Sequence, residues 1–249
     1  MNEWYRLKYH APSADAASKE MPTTTYLQIA QYAAEGFTWM RYISKVDFMN
    51  CNKIRLIELF AGIGSQASAL ERLGVEHERV AVAEFDDCAY RVYCAIHGYT
   101  PNLGDITKVE HLPECDLLTY SSPCQDISIA GHRAGLAKDS GTRSATLWDV
   151  GRLLEDMKAR NCMPEVLLME NVDSILFKHA IKDFNQWLRF LDCLGYTNSY
   201  KVLNAKDYGV PQNRKRLFMV STLHLGKLIF PKPKPLEIKL KDILEESVD

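Results

Sequence analysis

KIRLIELFAGIGSQASALERLG (residues 53–74) decides the fold. KIRLIELF is β-branched and apolar enough for a buried strand, AGIG turns the chain, and Ala67, Leu70 and Leu73 then recur at helical spacing. The same order of strand, turn and helix returns along the chain. VAVAEF (80–85) reads as a strand and DDCAYRVYCAIHG as a helix ended by Gly98. CDLLTYS (115–121) is a third strand, followed by a Gly/Ser-rich loop to about Ser144 and the amphipathic helix TLWDVGRLLEDMKAR. VLLMEN (166–171) precedes the helix FNQWLRFLDCLG, and Thr197–Asn204 and Leu217–Leu223 read as two late strands flanking a polar turn. Short apolar strands alternating with helices demand cover on both faces, so the expected fold is doubly wound α/β with a mostly parallel sheet.

The 249 residues divide into three parts. Residues 53–229 form the α/β domain. Residues 1–52 are a neutral appendage whose aromatics (Tyr26, Tyr32, Phe37, Trp39, Tyr42) suggest a helix packed on something. Residues 230–249 alternate Pro231, Pro233 and Pro235 with lysines, as an extended linker or tail does. No apolar run reaches the roughly 20 residues needed to cross a bilayer, and the N-terminus lacks the plan of a signal peptide, so the expected location is the cytoplasm. Seven cysteines without a CxxC pair suggest neither a disulfide framework nor a metal site. A formal net charge of −2 is unlike a free-standing nucleic-acid binder. From Lys201 to Asp249, however, ten Lys or Arg stand against six Asp or Glu, with Arg214, Lys215 and Arg216 together.

In open α/β sheets ligands bind at the carboxyl ends of the strands. FAGIG (60–64) follows the first strand, where glycines permit close backbone approach and a helix N-terminus favours an anionic group. Glu84 ends the second strand, where an acidic side chain can accept from both hydroxyls of a ribose. Asp105 in GDIT could accept from an adenine amine, and Phe85 could stack on the base. SSPCQ (121–125) places Cys124 after the third strand, and Glu170 leaves an apolar strand where partial desolvation could let it hold a proton. Taken singly, a buried cysteine and a strand-end glutamate are structural more often than functional.

Together, FAGIG, the Glu84 strand end, GDIT, SSPCQ, MENV (169–172) and QNRKR (212–216), in this order, resemble the cytosine-C5 DNA methyltransferases over about residues 53–245. The resemblance implies a Rossmann-like fold of the S-adenosylmethionine-dependent type, S-adenosylmethionine as methyl donor, no metal, and double-stranded DNA from which the target cytosine is flipped. It implies Cys124 as nucleophile, Glu170 as partner of the cytosine N3 and amine, and Arg216 at O2. For the cofactor it implies Phe60, Gly62, Ile63 and Gly64 at the methionine end, Glu84 at the ribose, and Phe85, Asp105 and Ile106 at the adenine, with Pro123 closing the site. Gln125, Ser128 and Arg214 are implied as DNA contacts, and the loop from Gln125 to about Ser144 as the segment that closes over DNA.

This sequence departs from the family at Ser65, where another glycine is usual, and at Ser122, where Pro or Phe is frequent. The family's target-recognition domain and its last segment, with a GN pair, are not found among these residues. The expectation is therefore the catalytic part of a split enzyme, with a second chain carrying target recognition. The alternatives are a truncated, inactive fragment and a cofactor-binding regulatory module, and RNA in place of DNA stays open.

Overall fold

The computed structural model describes residues 53–123, 146–238 and 242. Six strands form one sheet in the order β2-β1-β3-β4-β6-β5, comprising β1 (Ile54–Leu59), β2 (His77–Ala83), β3 (Leu117–Tyr120), β4 (Val166–Val172), β5 (Thr197–Asn204) and β6 (Lys215–Thr222). The helices are α1 (Ser65–Arg72), α2 (Asp87–His97), α3 (Leu147–Ala159) and α4 (Ile181–Leu194). The first four strands pair in parallel, whereas β6 runs antiparallel to both β4 and β5. A parallel crossover needs a dozen or more residues, and only residues 205–214 separate β5 from β6, so the late strands form a hairpin.

The expected doubly wound α/β fold is what the chain adopts, with differences at element ends. β2 starts at His77 and stops at Ala83, leaving Glu84 and Phe85 just past the strand. β4 runs on to Val172 because Asn171 and Val172 find ladder partners in Leu217 and Arg216, so Glu170 lies inside the strand instead of at its end. The helix expected from Phe184 begins at Ile181.

Alternate strand residues serve the two faces. Ile57, Leu59, Leu118, Tyr120, Leu167 and Met169 pack with Leu154, Phe184 and Trp187 of α3 and α4, while Leu56, Leu117, Val166 and Leu168 pack with Ala67 and Leu70 of α1. Trp187 is fully buried, donates to Tyr120 Oη at 3.2 Å and stacks on Phe190 at 5.2 Å. A buried Trp of this kind accounts for about 3–5 kcal/mol against truncation to Ala. At the lower end of the sheet Arg55 joins Asp116 at 2.8 Å, tying β1 to the residue that leads into β3.

One buried strand residue is a carboxylate. Glu58 accepts from Ala67 N at 3.2 Å and from Tyr93 Oη at 2.7 Å. The residue that caps α1, Gly64, has no side chain to receive the free N–H groups of the first turn, and Glu58 meets one of them from beneath. Burial raises its pKa, against the hydrogen bonds from Tyr93 and the α1 backbone.

Gly64 is a position only glycine fits. Its φ is +81°, and an added Cβ would stand 2.4 Å from His97 Nε2 and 2.7 Å from Tyr93 Cε2. Gly64→Ala is expected to lower the unfolding free energy by about 2–4 kcal/mol in urea titration, from overpacking plus left-handed backbone strain. Gly62→Ala, where a Cβ meets nothing within 4 Å, should cost only the backbone share of about 1–2 kcal/mol. Equal losses at the two positions would disprove the close approach of α2.

Candidate active site

The ladder sets Ala83, Leu59, Tyr120 and Met169 side by side across the four parallel strands. The next residues, Glu84, Phe60, Ser121 and Glu170, are therefore level with one another; the first three leave the sheet there, and β4 runs two residues further. That alignment gathers side chains drawn from more than a hundred residues of sequence.

At the β1–β2 end the backbone turns sharply. Phe60 (φ 57°) and Gly62 (φ 55°) adopt left-handed backbone, and Phe60 N donates to Ala83 O at 2.8 Å. The Glu84 side chain closes the turn: Oε2 accepts from Gly62 N at 2.8 Å and Oε1 from Asp86 N at 2.9 Å. An ionised carboxylate offers about four acceptor sites. Two backbone donors thus fix Glu84 and leave acceptor capacity for a diol. Phe85 is 79% exposed and Ile63 is 40% exposed, both unusual for large apolar residues and both beside this turn. With the open space over Gly62, these residues fit an adenosine-containing group.

Asp105 accepts at Oδ1 from Thr107 N and Thr107 Oγ1, at 3.1 and 2.8 Å, and those bonds hold its pKa below the usual carboxylate value. It remains half-exposed and anionic. Ile106 turns its side chain into the core, and its carbonyl accepts from Arg152 at 3.1 Å. Pro123 is partly buried at the end of the loop after β3.

At the β4–β6 end the antiparallel register pairs Val172 with Arg216, which makes Glu170 and Arg216 diagonal neighbours on one face. Arg216 Nε meets Glu170 Oε1 at 3.0 Å, with both side chains about three-quarters buried. Burial raises the Glu170 pKa, and the charges of Arg216 and Arg214 pull the other way. Arg214 and Arg216 line an open groove of about 470 Å³ with Asp173, Gln212, Asn213 and Lys215. Cys124, Gln125 and Ser128, and the loop to Ser144, lie outside the described residues, as do residues 1–52.

Three asparagines that the sequence reading gave no role hold the strand ends in place. Asn102 Nδ2 donates to Glu84 O at 2.9 Å, while its Oδ1 accepts from Glu84 N and Gly104 N, both at 3.0 Å. Asn171, 2% exposed, donates to Ser122 O at 3.2 Å and so fixes the loop that leads to Cys124. Asn204 donates to Asn213 Oδ1 at 2.8 Å and accepts from Arg214 N at 3.0 Å, clamping the QNRKR turn. A side-chain amide both donates and accepts, which lets it replace a missing strand partner. For Asn171 and Asn204 the sequence signal was their position at the end of a strand-forming run, whereas Asn102 follows Pro101 and carries no such signal.

The profile of the C-5 cytosine-specific DNA methylases matches residues 54–249. The chain belongs to this family. It is 34% identical to the type II methyltransferase M2.ScrFI of Lactococcus lactis over 78% of this chain and 68% of that protein. Identity with the type II methyltransferase M.HhaI of Haemophilus parahaemolyticus is 36%, over 77% of this chain and 57% of the relative. Among solved structures, the Entamoeba histolytica methyltransferase EhMeth aligns with a TM-score of 0.63 at 19% identity, covering 80% of this chain and 62% of that one. That likeness shows the fold, which is the S-adenosylmethionine-dependent methyltransferase fold expected from the sequence. Among the described residues of this methylase no helix is long and apolar enough to cross a membrane.

The ion pair yields a test by titration. In Arg216→Met the cation leaves a carboxyl that burial already raises, so the Glu170 pKa is expected to move further up, read from the carboxyl resonance of ¹³C-labelled glutamate. An unchanged or lower value would refute the pairing.

Proposed function

We propose that this methylase transfers a methyl group to C5 of a cytosine flipped out of double-stranded DNA, through a covalent bond to Cys124. One observation carries the reading: Glu170, paired with Arg216, stands at the same sheet edge as the Glu84–Gly62 turn. A base-binding acid and a nucleoside-binding carboxylate thus face one crevice. Two of the matched relatives are named type II methyltransferases, in accord with DNA as substrate. Neither the fold nor those relatives support the second chain expected from the sequence, and the proposal does not rest on one.

Phe60, Gly62, Ile63 and Gly64 line the methionine end of the cofactor, Glu84 accepts from the ribose, and Phe85 and Asp105 hold the adenine; Ile106 contributes through its backbone and Pro123 closes the site. S-adenosylmethionine bound there supplies the methyl group as a sulfonium. C5 of cytosine is a poor nucleophile, so the Cys124 thiolate first adds to C6, and the former C5–C6 π pair becomes available at C5. Negative charge moves toward N3 and O2 as the bond forms. Glu170 meets it at N3 by sharing a proton, which burial of the carboxyl assists and the Arg216 charge opposes. Two groups of the Arg216 fork are bonded, Nε to Glu170 and Nη1 to Lys215 O at 2.7 Å, and its remaining donor reaches O2. Once C5 carries the methyl group its proton passes to water, and the electron pair of that C–H bond restores the double bond as the thiolate leaves C6. Gln125, Ser128 and Arg214 contact the DNA backbone around the flipped base.

DNA carrying 5-fluorocytosine tests the covalent step, because C5 then has no proton to lose and the adduct persists. A protein–DNA species stable to denaturation is expected from the natural chain and none from Cys124→Ala; an adduct formed by the variant would overturn the mechanism. For the cofactor, Glu84→Ala should weaken S-adenosylmethionine binding in calorimetry by about 1–3 kcal/mol, the loss of hydrogen bonds to a charged acceptor. Unchanged affinity would remove Glu84 from the ribose.

A further inference from the structure

His97 ends α2 with its side chain wholly buried beneath the glycine turn. Its two ring nitrogens face two oxygens from other elements. Nδ1 lies 3.1 Å from Glu71 Oε1 on α1, and Nε2 lies 3.1 Å from the carbonyl oxygen of Ile63 in FAGIG. Both oxygens can only accept. The ring meets the Ile63 carbonyl when Nε2 carries the hydrogen. The competing arrangement is a neutral ring with Nδ1–H toward Glu71 and Nε2 accepting from Ser68 Oγ, a contact of 3.5 Å at the limit of a hydrogen bond.

The charged groups around the ring come from every element packed on it. Glu71 on α1, Glu58 on β1 and Arg79 on β2 are those groups, and Arg79 shares Glu71 Oε1 at 3.2 Å and donates to His97 O. Tyr93 on α2 packs against the ring at 4.8 Å and keeps water away. On the opposite side of the turn, Gly62 N is held by Glu84.

We propose that His97 is a positioning residue whose ring Nε2–H holds the Ile63 carbonyl, and with it the left-handed turn on which S-adenosylmethionine lies. The inference rests on the cofactor reading above. Glu84 fixes the turn through a donor and His97 through an acceptor, so the turn is gripped at neighbouring peptides before any ligand arrives. Its binding geometry is thereby preorganised.

The test is ¹⁵N NMR of the seven histidines, with the His97 signal assigned by its loss in His97→Gln. Nε2 is expected at the shift of a ring nitrogen that carries a hydrogen, and it should move when S-adenosylmethionine is added. In His97→Phe, which keeps a ring in the site without its N–H, S-adenosylmethionine affinity should fall about tenfold, the scale of one hydrogen bond, with His97→Gln between the two. A neutral Nδ1–H tautomer in the natural protein overturns the proposal. So does full affinity in a folded His97→Phe or, if that variant does not fold, in His97→Gln. Failure of the natural protein to bind S-adenosylmethionine would instead sink the cofactor reading, leaving the NMR result to judge the strut alone.

Discussion

The register of the parallel ladder is the constraint on which the site depends. Because Ala83, Leu59, Tyr120 and Met169 are held level by main-chain hydrogen bonds, the residues after them stand at a common height toward one end of the sheet. A slip of one residue in any strand would send its functional side chain to the other face. The two cores above and below the sheet oppose such a slip, since each depends on alternate residues of the same strands. Packing energy and site geometry are thus one quantity seen from two sides.

Around that edge the polar groups form short chains that end on backbone. Glu84 bonds Gly62 N and Asp86 N, Asn102 bonds Glu84 at both its main-chain groups, and Asn171 and Asn204 do the same work for the loops after β3 and β5. Main-chain partners cannot rotate away as side chains do. A cleft built this way loses little conformational freedom when a ligand enters, and its specificity is not diluted by alternative rotamers.

Strand and helix order was legible in the sequence because burial on both faces leaves continuous apolar runs, as in KIRLIELF and VLLMEN. Glu84 and Glu170 stood out for the opposite reason, a carboxylate at the end of such a run. The direction of β6 was not legible from its composition, which suits either neighbour; only the shortness of the 205–214 connection requires a hairpin. Pairing of Glu170 with Arg216 follows from that hairpin and so was hidden with it, although the family resemblance had joined them by role. Asn102, Asn171 and Asn204 escaped because an asparagine near a turn is ordinary, and its value lies in partners far away in sequence. His97 looked like the basic last turn of a helix, and nothing local announces the two acceptors that flank it.

The antiparallel sense of β6 has a further consequence for how the chain is routed. β6 begins at the functional edge with Lys215 and ends at the opposite one with Thr222, so the chain leaves the sheet on the side away from the crevice. It does not stay there. Tyr208 donates to Pro231 O at 3.1 Å and Lys234 N to Asp207 O at 2.7 Å, which moors the proline–lysine segment beside the turn that follows β5, level again with the crevice. The stiffness of alternating prolines suits a strut that climbs one wall of the domain without folding. Residues past Lys234 therefore set out from the same end of the sheet as Glu84 and Glu170, although the strand before them ends at the other.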